Sequence, residues 1–232
     1  HETRKYTIKC YVGDPIQKCQ LALFADASFA GDLRDSKSTS GGLLALTGPN
    51  TFVILSWLCK KQSAISHSST EAELIALDTC LRLEGIPALT LWQDVVDTFS
   101  KTKPKPLQTP SREPITVKNM HMVDYVPPSL AEPNYSTTIT LLEDNDAVIK
   151  MCKKGRSPAM RHVGRVHRVD LDSLFHSLLR DPSIRMKYVS THAQLADMLT
   201  KGSFSEPTWR TLLSLSQIDP RGAILTLSSN YA

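Results

Sequence analysis

The stretch LALFADASFAGD, residues 21–32, decides how the rest of the chain is read. Leu21 to Ala25 are all apolar, the pattern of a strand covered on both faces, and Asp26 ends the run. A sheet would normally place another aliphatic side chain there. A carboxylate buried at that point carries a penalty of roughly several kcal/mol unless it is neutralised, hydrogen-bonded or bound to a metal. The plainer alternative is a turn acid just past the strand, helped by Gly31 and Asp32, and on this stretch alone it is preferred. Three further acids at element boundaries downstream tip the balance toward a shared site.

Working outward, DLRDSKSTSGG is a polar loop that leads into GLLALTG and, across Pro49-Asn50, into TFVILSWL. Two apolar runs around a Gly-Pro-Asn break predict a hairpin, and with the first strand a three-stranded meander. In SHSSTEAELIALDTCLRL, Ser68 and Glu71 have capping-box spacing: the hydroxyl accepts from the amide near Glu71, and the Glu71 side chain reaches back. That role occupies Glu71. It leaves Glu73 one turn in, among Ala72, Leu74, Ile75, Ala76 and Leu77, either at the edge of a buried stripe or functional. The helix is expected to stop near Gly85-Ile86-Pro87, with a second amphipathic run, ALTLWQDVVDTF, after it.

TTITLL, residues 137–142, predicts a fourth strand that ends in Glu143-Asp144-Asn145 and runs into the helix DAVIKMCKKG, stopped by Gly155. Asp144 repeats the placement of Asp26, although Asp144 or Asn145 also suits a helix N-cap. RHVGRVHRVDLDSLFHSLLRD reads as one helix with Val169, Leu171, Leu174, Phe175, Leu178 and Leu179 inward. IRMKYVST reads as a short strand, AQLADMLTKG as a short amphipathic helix carrying Asp197, and EPTWRTLLSL as a last helix. Residues 1–18 carry a weak alternation suited to an edge strand or lead-in, and the end from Ser216 has no assigned element.

Three strands, helix, strand, helix, strand, helix predicts an α/β protein with a mixed sheet, a meander plus parallel strands, flanked by helices. The ends of the first and fourth strands are then neighbours, with Asp26 and Asp144 side by side and Glu73 and Asp197 above them. Four carboxylates in one cleft repel one another, and hard divalent cations with oxygen ligands are the physical remedy. Two such ions about 4 Å apart serve in-line displacement at a phosphodiester.

The whole chain sets limits on these expectations. Its 232 residues, 41% hydrophobic, suffice for one large domain with a real core. The net charge is +4, but Lys150 to Arg210 holds twelve basic and five acidic residues, so this segment carries +7 and the remainder −3. That distribution favours a polyanionic partner, although a solvated helix face is the commoner cause of such an excess. Five cysteines without CxxC spacing indicate neither a zinc cage nor a disulfide framework. No apolar run is long enough to span a bilayer and no signal peptide is evident, so no membrane partner is expected. His1 in place of Met suggests a processed or excised piece of a longer chain, or a tag remnant. Seven of the 14 prolines fall between Thr98 and Ser136, which marks 98–136 as an extended insertion. It divides a first part (19–97) from a second (137–202), with a lead-in (1–18) before them and a C-terminal helix and tail (203–232) after.

ADASFAGDLRDSKSTSGG, ILSWLCKKQSAISHSSTEAELIAL, EDNDAVIKM, RVHRVDLDSLF and YVSTHAQLADMLTKG, in this order, resemble the ribonuclease H domain of copia-type (Pseudoviridae-like) LTR retrotransposon polyproteins. The proline-rich insertion is outside that common pattern. The resemblance implies an RNase H-like fold with a five-stranded mixed sheet, and a site of Asp26, Glu73, Asp144 and Asp197 holding two Mg²⁺ ions, with Mn²⁺ able to substitute. Asp26 would be shared by both ions, Glu73 and Asp144 would hold the second, and Asp197 would complete the first. One ion would activate water and the other steady the leaving 3′ oxygen, so that the RNA strand of an RNA/DNA hybrid is cut to leave a 5′ phosphate.

Recognition of such a hybrid reads 2′-hydroxyls and shape rather than sequence. Ser28, Ser68, Ser69 and Thr70 are the expected minor-groove donors, and Lys60, Lys61, Arg161, Arg165, His167 and Arg168 the candidate phosphate contacts, each equally explained as surface charge. His192, five residues before Asp197, is a candidate for product release. A reverse transcriptase domain of the same polyprotein is the implied partner, and a copia-type origin implies cytoplasmic virus-like particles. Transposases and integrases order their acids Asp, Asp, Glu, which disfavours that class. The remaining alternative is a catalytically retired domain kept as a structural or nucleic-acid-binding module.

Overall fold

The computed structural model describes residues 2–32, 34–100, 137–155, 158–167 and 169–220. Nine residues, Gln20–Ser28, form the central strand β3, and the hairpin strands Thr39–Gly48 (β4) and Thr51–Lys61 (β5) follow it antiparallel. Ile139–Glu143 (β6) pairs parallel to the other edge of β3, and Ile184–Tyr188 (β7) pairs parallel to β6. Two short strands precede these: Thr7–Ile8 (β1), and Tyr11–Val12 (β2), which pairs with the outer edge of β5. The main sheet therefore has six strands in the order β2-β5-β4-β3-β6-β7. A three-stranded antiparallel meander joined to parallel strands and flanked by helices is the expected RNase H-like arrangement; the sixth strand is a two-residue addition from the lead-in. The remaining short strand, Ile218–Asp219 (β8), pairs with β1 in the tail that had no assigned element.

Alternation along β3 divides the core in two. Leu21, Leu23 and Ala25 pack with the long helix Ser69–Cys80 (α1) and the later helices Asp146–Lys154 (α3) and Leu171–Arg180 (α5). Ala22 and Phe24 face the opposite side, against Leu195 and Ala196, which lead into Asp197–Thr200 (α6), and Leu212 of Glu206–Leu215 (α7). Both faces are covered, which explains the continuous apolar run in this strand.

Besides the shortening of the expected AQLADMLTKG helix to Asp197–Thr200 and of the expected IRMKYVST strand to Ile184–Tyr188, three boundaries differ from the sequence reading. The helix does not stop at Gly85-Ile86-Pro87: α1 passes through a wider π-type turn, Leu81–Gly85, into Ile86–Phe99 (α2). Gly85 keeps right-handed helical angles, and Pro87 falls in the first turn of α2, directly after the wider turn. The single helix expected over 161–181 is split into Val163–Val166 (α4) and α5. Asp170 is the cause, since its side chain accepts from the Ser173 amide at 3.1 Å and so restarts the helix. The third is Asp26 itself, which lies inside β3, paired with Gly41, rather than at its exit.

The expected insertion begins in the last turn of α2, and residues 101–136 lie outside the described residues. Among the described residues no helix is long and apolar enough to cross a membrane.

Candidate active site

Four elements bring the four acids to one end of the sheet. Phe24 pairs with Leu142 across the parallel β3 and β6, so two residues further on Asp26 and Asp144 stand at the same level on neighbouring strands. Asp144 is spared the capping role, because Asn145 takes it: its side chain accepts from the amides of Ala147 at 3.0 Å and Val148 at 3.3 Å. The same division holds on α1. Ser68 accepts from the Glu71 amide at 3.1 Å, and Glu71 reaches back to the His67 amide at 3.0 Å, one residue before the N-cap. Glu73 is left to the cleft.

The relation of Glu73 to Asp197 differs from the one expected. They do not sit together above the strand ends: α1 covers the face of Ala25 and Ala27, whereas α6 covers the face that Asp26 shares with Ala22 and Phe24. They approach the end of β3 from opposite sides of the sheet. Two consecutive glycines make this possible. A Cβ on Gly41, opposite Asp26, would stand 2.4 Å from Thr200 Cγ2 and 3.2 Å from the Ala196 carbonyl, both on the α6 side. A Cβ on Gly42 would stand 2.5 Å from Cys80 Sγ on α1.

An open cleft of about 460 Å³ is lined by Asp26, Ala27, Ser69, Glu73, Asp144, Asn145 and Lys201, among others. Asp197 joins it through Lys201, whose Nζ is 2.5 Å from Asp197 Oδ2. Neighbouring Thr200 donates its hydroxyl to Asp26 Oδ2. Asp26, Glu73 and Asp197 are buried, and all three carboxyls are pushed up, with burial the largest cause. Glu73 is pushed up to about 10, with the charges of Asp26, Glu143 and Asp144 adding to burial. Asp197 is pushed up to about 6, the Lys201 contact working against the shift and the charges of Asp26 and Asp144 adding to it. On Asp26, the Thr200 hydrogen bond and Lys201 oppose burial while Asp144 adds to it.

As a donor set these residues suit a hard divalent cation. They offer carboxylate oxygens that repel one another, and Glu73 Oε2 and Asp197 Oδ1 are buried without a hydrogen-bond partner. As placed, with Thr200 on Asp26 and Lys201 on Asp197, no group of three or more acidic, histidine or cysteine side chains among the described residues is arranged to hold one ion.

Besides Thr200 and Lys201, two further contributors escaped the sequence reading. Glu143, fully buried, falls on the α1 side of β6, and burial pushes its carboxyl up to about 8. The signal available was two successive acids at a strand end, which alternation must send to opposite faces. Gln194, also fully buried, donates to the carbonyls of Ala25 at 2.9 Å and Leu142 at 3.4 Å, and so ties the segment before Asp197 to both central strands.

The expected substrate contacts disperse. Ser69 lines the cleft and is exposed; Ser68 is the N-cap of α1, and Thr70 is half-buried in its first turn. Ser28 ends β3, half-buried, and does not line the cleft. Lys60 is exposed at the end of β5, while Lys61 is engaged by Asp32 at 2.5 Å and Asp35 at 2.8 Å. Arg161 and Arg165 are exposed around α4. Arg168 lies outside the described residues. His167 is a correction: its ring is buried, with Nε2 3.2 Å from Glu71 Oε1, where it is unable to meet a phosphate at the surface. His162 Nε2 stands 3.2 Å from the other Glu71 oxygen and meets His67 edge to face, so this histidine group packs the 158–167 segment onto the start of α1. His192 is exposed on the short turn Thr191–Ala193, outside the cleft lining.

No family model matches the chain. A curated protein described as secreted RxLR effector protein 161, from Plasmopara viticola, is 43% identical over 58 residues, 25% of this chain and 38% of that protein. The chain thus spans well under half the length of that relative. Among solved structures, the N-terminal RNase H domain of Rv2228c from Mycobacterium tuberculosis, fused to maltose-binding protein, has a TM-score of 0.40 and 10% identity, covering 85% of this chain and 96% of that one. LC11-RNase H1, isolated from compost by a metagenomic approach, has a TM-score of 0.37 and 12% identity, covering 78% and 92%. At these scores neither likeness carries weight below; the strand order and the acids do.

Proposed function

We propose that the chain is a ribonuclease H: a metal-dependent endonuclease that hydrolyses the RNA strand of RNA/DNA hybrids and leaves 5′-phosphate ends. The observation that supports it most is the convergence of Asp26, Glu73, Asp144 and Asp197, carried by four separate elements, on one end of the sheet, with Asp26, Glu73 and Asp197 buried and their carboxyls pushed up. Acids that only decorate a surface are not driven up by burial and by one another. The motif order along the chain supports the same reading, and with it a place in the reverse transcription of a copia-type retrotransposon, beside a reverse transcriptase domain of the same polyprotein.

In this reading Asp26, Glu73, Asp144 and Asp197 hold Mg²⁺, which Mn²⁺ replaces. Bound there, the metal would supply activation of the attacking water and neutralisation of charge on the leaving oxygen. The chain's own residues supply the rest. Gln194 fixes the segment before Asp197 against the central strands. The Gly41 and Gly42 pair lets helices close on both faces, and Asn145 and the Ser68–Glu71 pair absorb the helix ends, so that Asp144 and Glu73 face the cleft. Ser69 at the cleft, with Arg161 and Arg165 on the segment packed against the start of α1, forms the surface for the hybrid's minor groove and phosphates.

The test is cleavage of an end-labelled RNA/DNA hybrid in Mg²⁺ beside single-stranded RNA, duplex RNA and duplex DNA, with the new RNA ends probed for 5′ phosphate. Hybrid-restricted cutting with 5′-phosphate ends is expected. Binding of the hybrid without cutting in either Mg²⁺ or Mn²⁺ would replace this reading with that of a retired nucleic-acid-binding module.

A further inference from the structure

The cleft contains a cation of the chain's own. Lys201 follows directly on α6, lines the cleft with Asp26, Glu73 and Asp144, and pairs with Asp197 at 2.5 Å. The pair is unequal in exposure: the lysine side chain is 39% exposed and the aspartate 5%. The ammonium therefore has a route to solvent that the carboxylate lacks. Thr200, one residue earlier, donates to Asp26, so consecutive side chains of one short helix end engage two of the four acids. With these contacts made, the acids do not gather as three around a point.

We propose that Lys201 is a tethered counter-ion that competes with the divalent cation for Asp197 and so sets the metal affinity of the site. The inference rests on the proposed metal-dependent reading and adds a regulating residue to it. A lysine on a four-carbon stem is suited to this, because the ammonium can leave the carboxylate without moving the backbone. The Asp197 carboxylate it pairs with and the Asp26, Glu73 and Asp144 side chains lining the same cleft hold the ammonium near the acids. A metal ion must take Asp197 from this partner, so part of its binding free energy goes into releasing the lysine. The tether also limits the repulsion among the acids when no metal is bound.

The experiment is calorimetric titration of the full chain with Mg²⁺, and with Ca²⁺ as a second hard cation, for wild type, Lys201→Met, Lys201→Gln and Lys201→Arg, alongside thermal melts in EDTA. Removing the ammonium is expected to tighten metal binding about fivefold, the scale of one partly exposed ion pair, while lowering the melting temperature in EDTA. Lys201→Arg, which keeps the charge, is expected to stay near wild type. The melts show which variants are folded, and Lys201→Gln provides the comparison if the Met variant is not. Unchanged or weaker metal binding in the folded neutral variants, with wild type binding normally, overturns the role of Lys201 and leaves the ribonuclease reading intact. Absence of metal binding in wild type and variants alike overturns both.

Discussion

Asp26 and Asp144 lie level with each other on neighbouring parallel strands, two residues beyond the Phe24–Leu142 pair, although 117 residues separate them in sequence. Asp26 is inside a strand and Asp144 just past the end of one, so the level is fixed by backbone register rather than by loop conformation. Burial is the largest cost of ionising Asp26 and Glu73; Asp144 adds to it at Asp26, and Asp26 and Asp144 both add to it at Glu73. An ion bound at this end of the sheet has the most charge to neutralise there.

Glu73 gives the metal-free protein a pH dependence of a definite sign. Its folded carboxyl titrates at about 10 against an ordinary 4.5. Below 4.5 both folded and unfolded chains keep the proton and nothing is lost; between 4.5 and 10 the unfolded chain ionises first, so stability falls as pH rises. In EDTA, Glu73→Gln should raise the melting temperature at pH 8 by about 2–8 °C, corresponding to about 1–2 kcal/mol, with little change at pH 4. Mg²⁺ should stabilise wild type more than the variant. Melts at the two pH values with and without metal check both statements.

The neighbouring acid should behave in the opposite way. Glu71 is buried, accepts from the His67 amide, and faces His162 and His167. Glu71→Ala leaves the buried His167 ring without its carboxylate and should cost about 1–3 kcal/mol, seen as a lower denaturation midpoint at unchanged slope. Glu73→Gln should remove cleavage without that loss.

Gly41 is where a methyl group would do most harm to the site without altering its chemistry. Its Cβ would overlap Thr200 and press on the Ala196 carbonyl, so α6 must shift and carry Asp197 with it. Gly41→Ala should cost about 1–3 kcal/mol and reduce hybrid cleavage. Gly202→Ala, where a Cβ meets nothing within 4 Å, should affect neither. Melts and cleavage rates of the two variants make the comparison.

Gln194 should matter through placement. Replacing it with Leu removes the donor shared by the Ala25 and Leu142 carbonyls, at a cost of about 1–3 kcal/mol, and frees the segment that carries Asp197. Cleavage should fall while binding of the hybrid is retained, since no base or phosphate contact is removed. Gel-shift titrations beside rate measurements separate the two effects.

Much of the arrangement was legible from residue order. Apolar runs with a Gly-Pro-Asn break specified the meander, and the local capping chemistry of Ser68 and Glu71 singled out Glu73. What was not legible depends on contacts distant in sequence. Asp26 extends β3 because Gly41 pairs with it, and Gly41 is a glycine because α6, more than 150 residues later, needs the space. Glu143 and Asp144 are alike as letters, and only strand phase sends one toward α1 and the other toward Asp26. His167 looked like surface charge because the carboxylate it packs on, Glu71, belongs to a helix almost a hundred residues earlier. Proline and glycine at 85–87 suggested a break, but a π-type turn keeps the helical run going through them.

The most direct test of the account is the single-turnover rate of RNA/DNA hybrid cleavage in Mg²⁺ by wild type and by Asp26→Asn. The substitution keeps the shape of the side chain and removes the charge at the centre of the four acids. The account predicts metal-dependent cleavage by wild type, a loss of at least about two orders of magnitude in the variant, and hybrid binding by both. Cleavage by Asp26→Asn at the wild-type rate would contradict it.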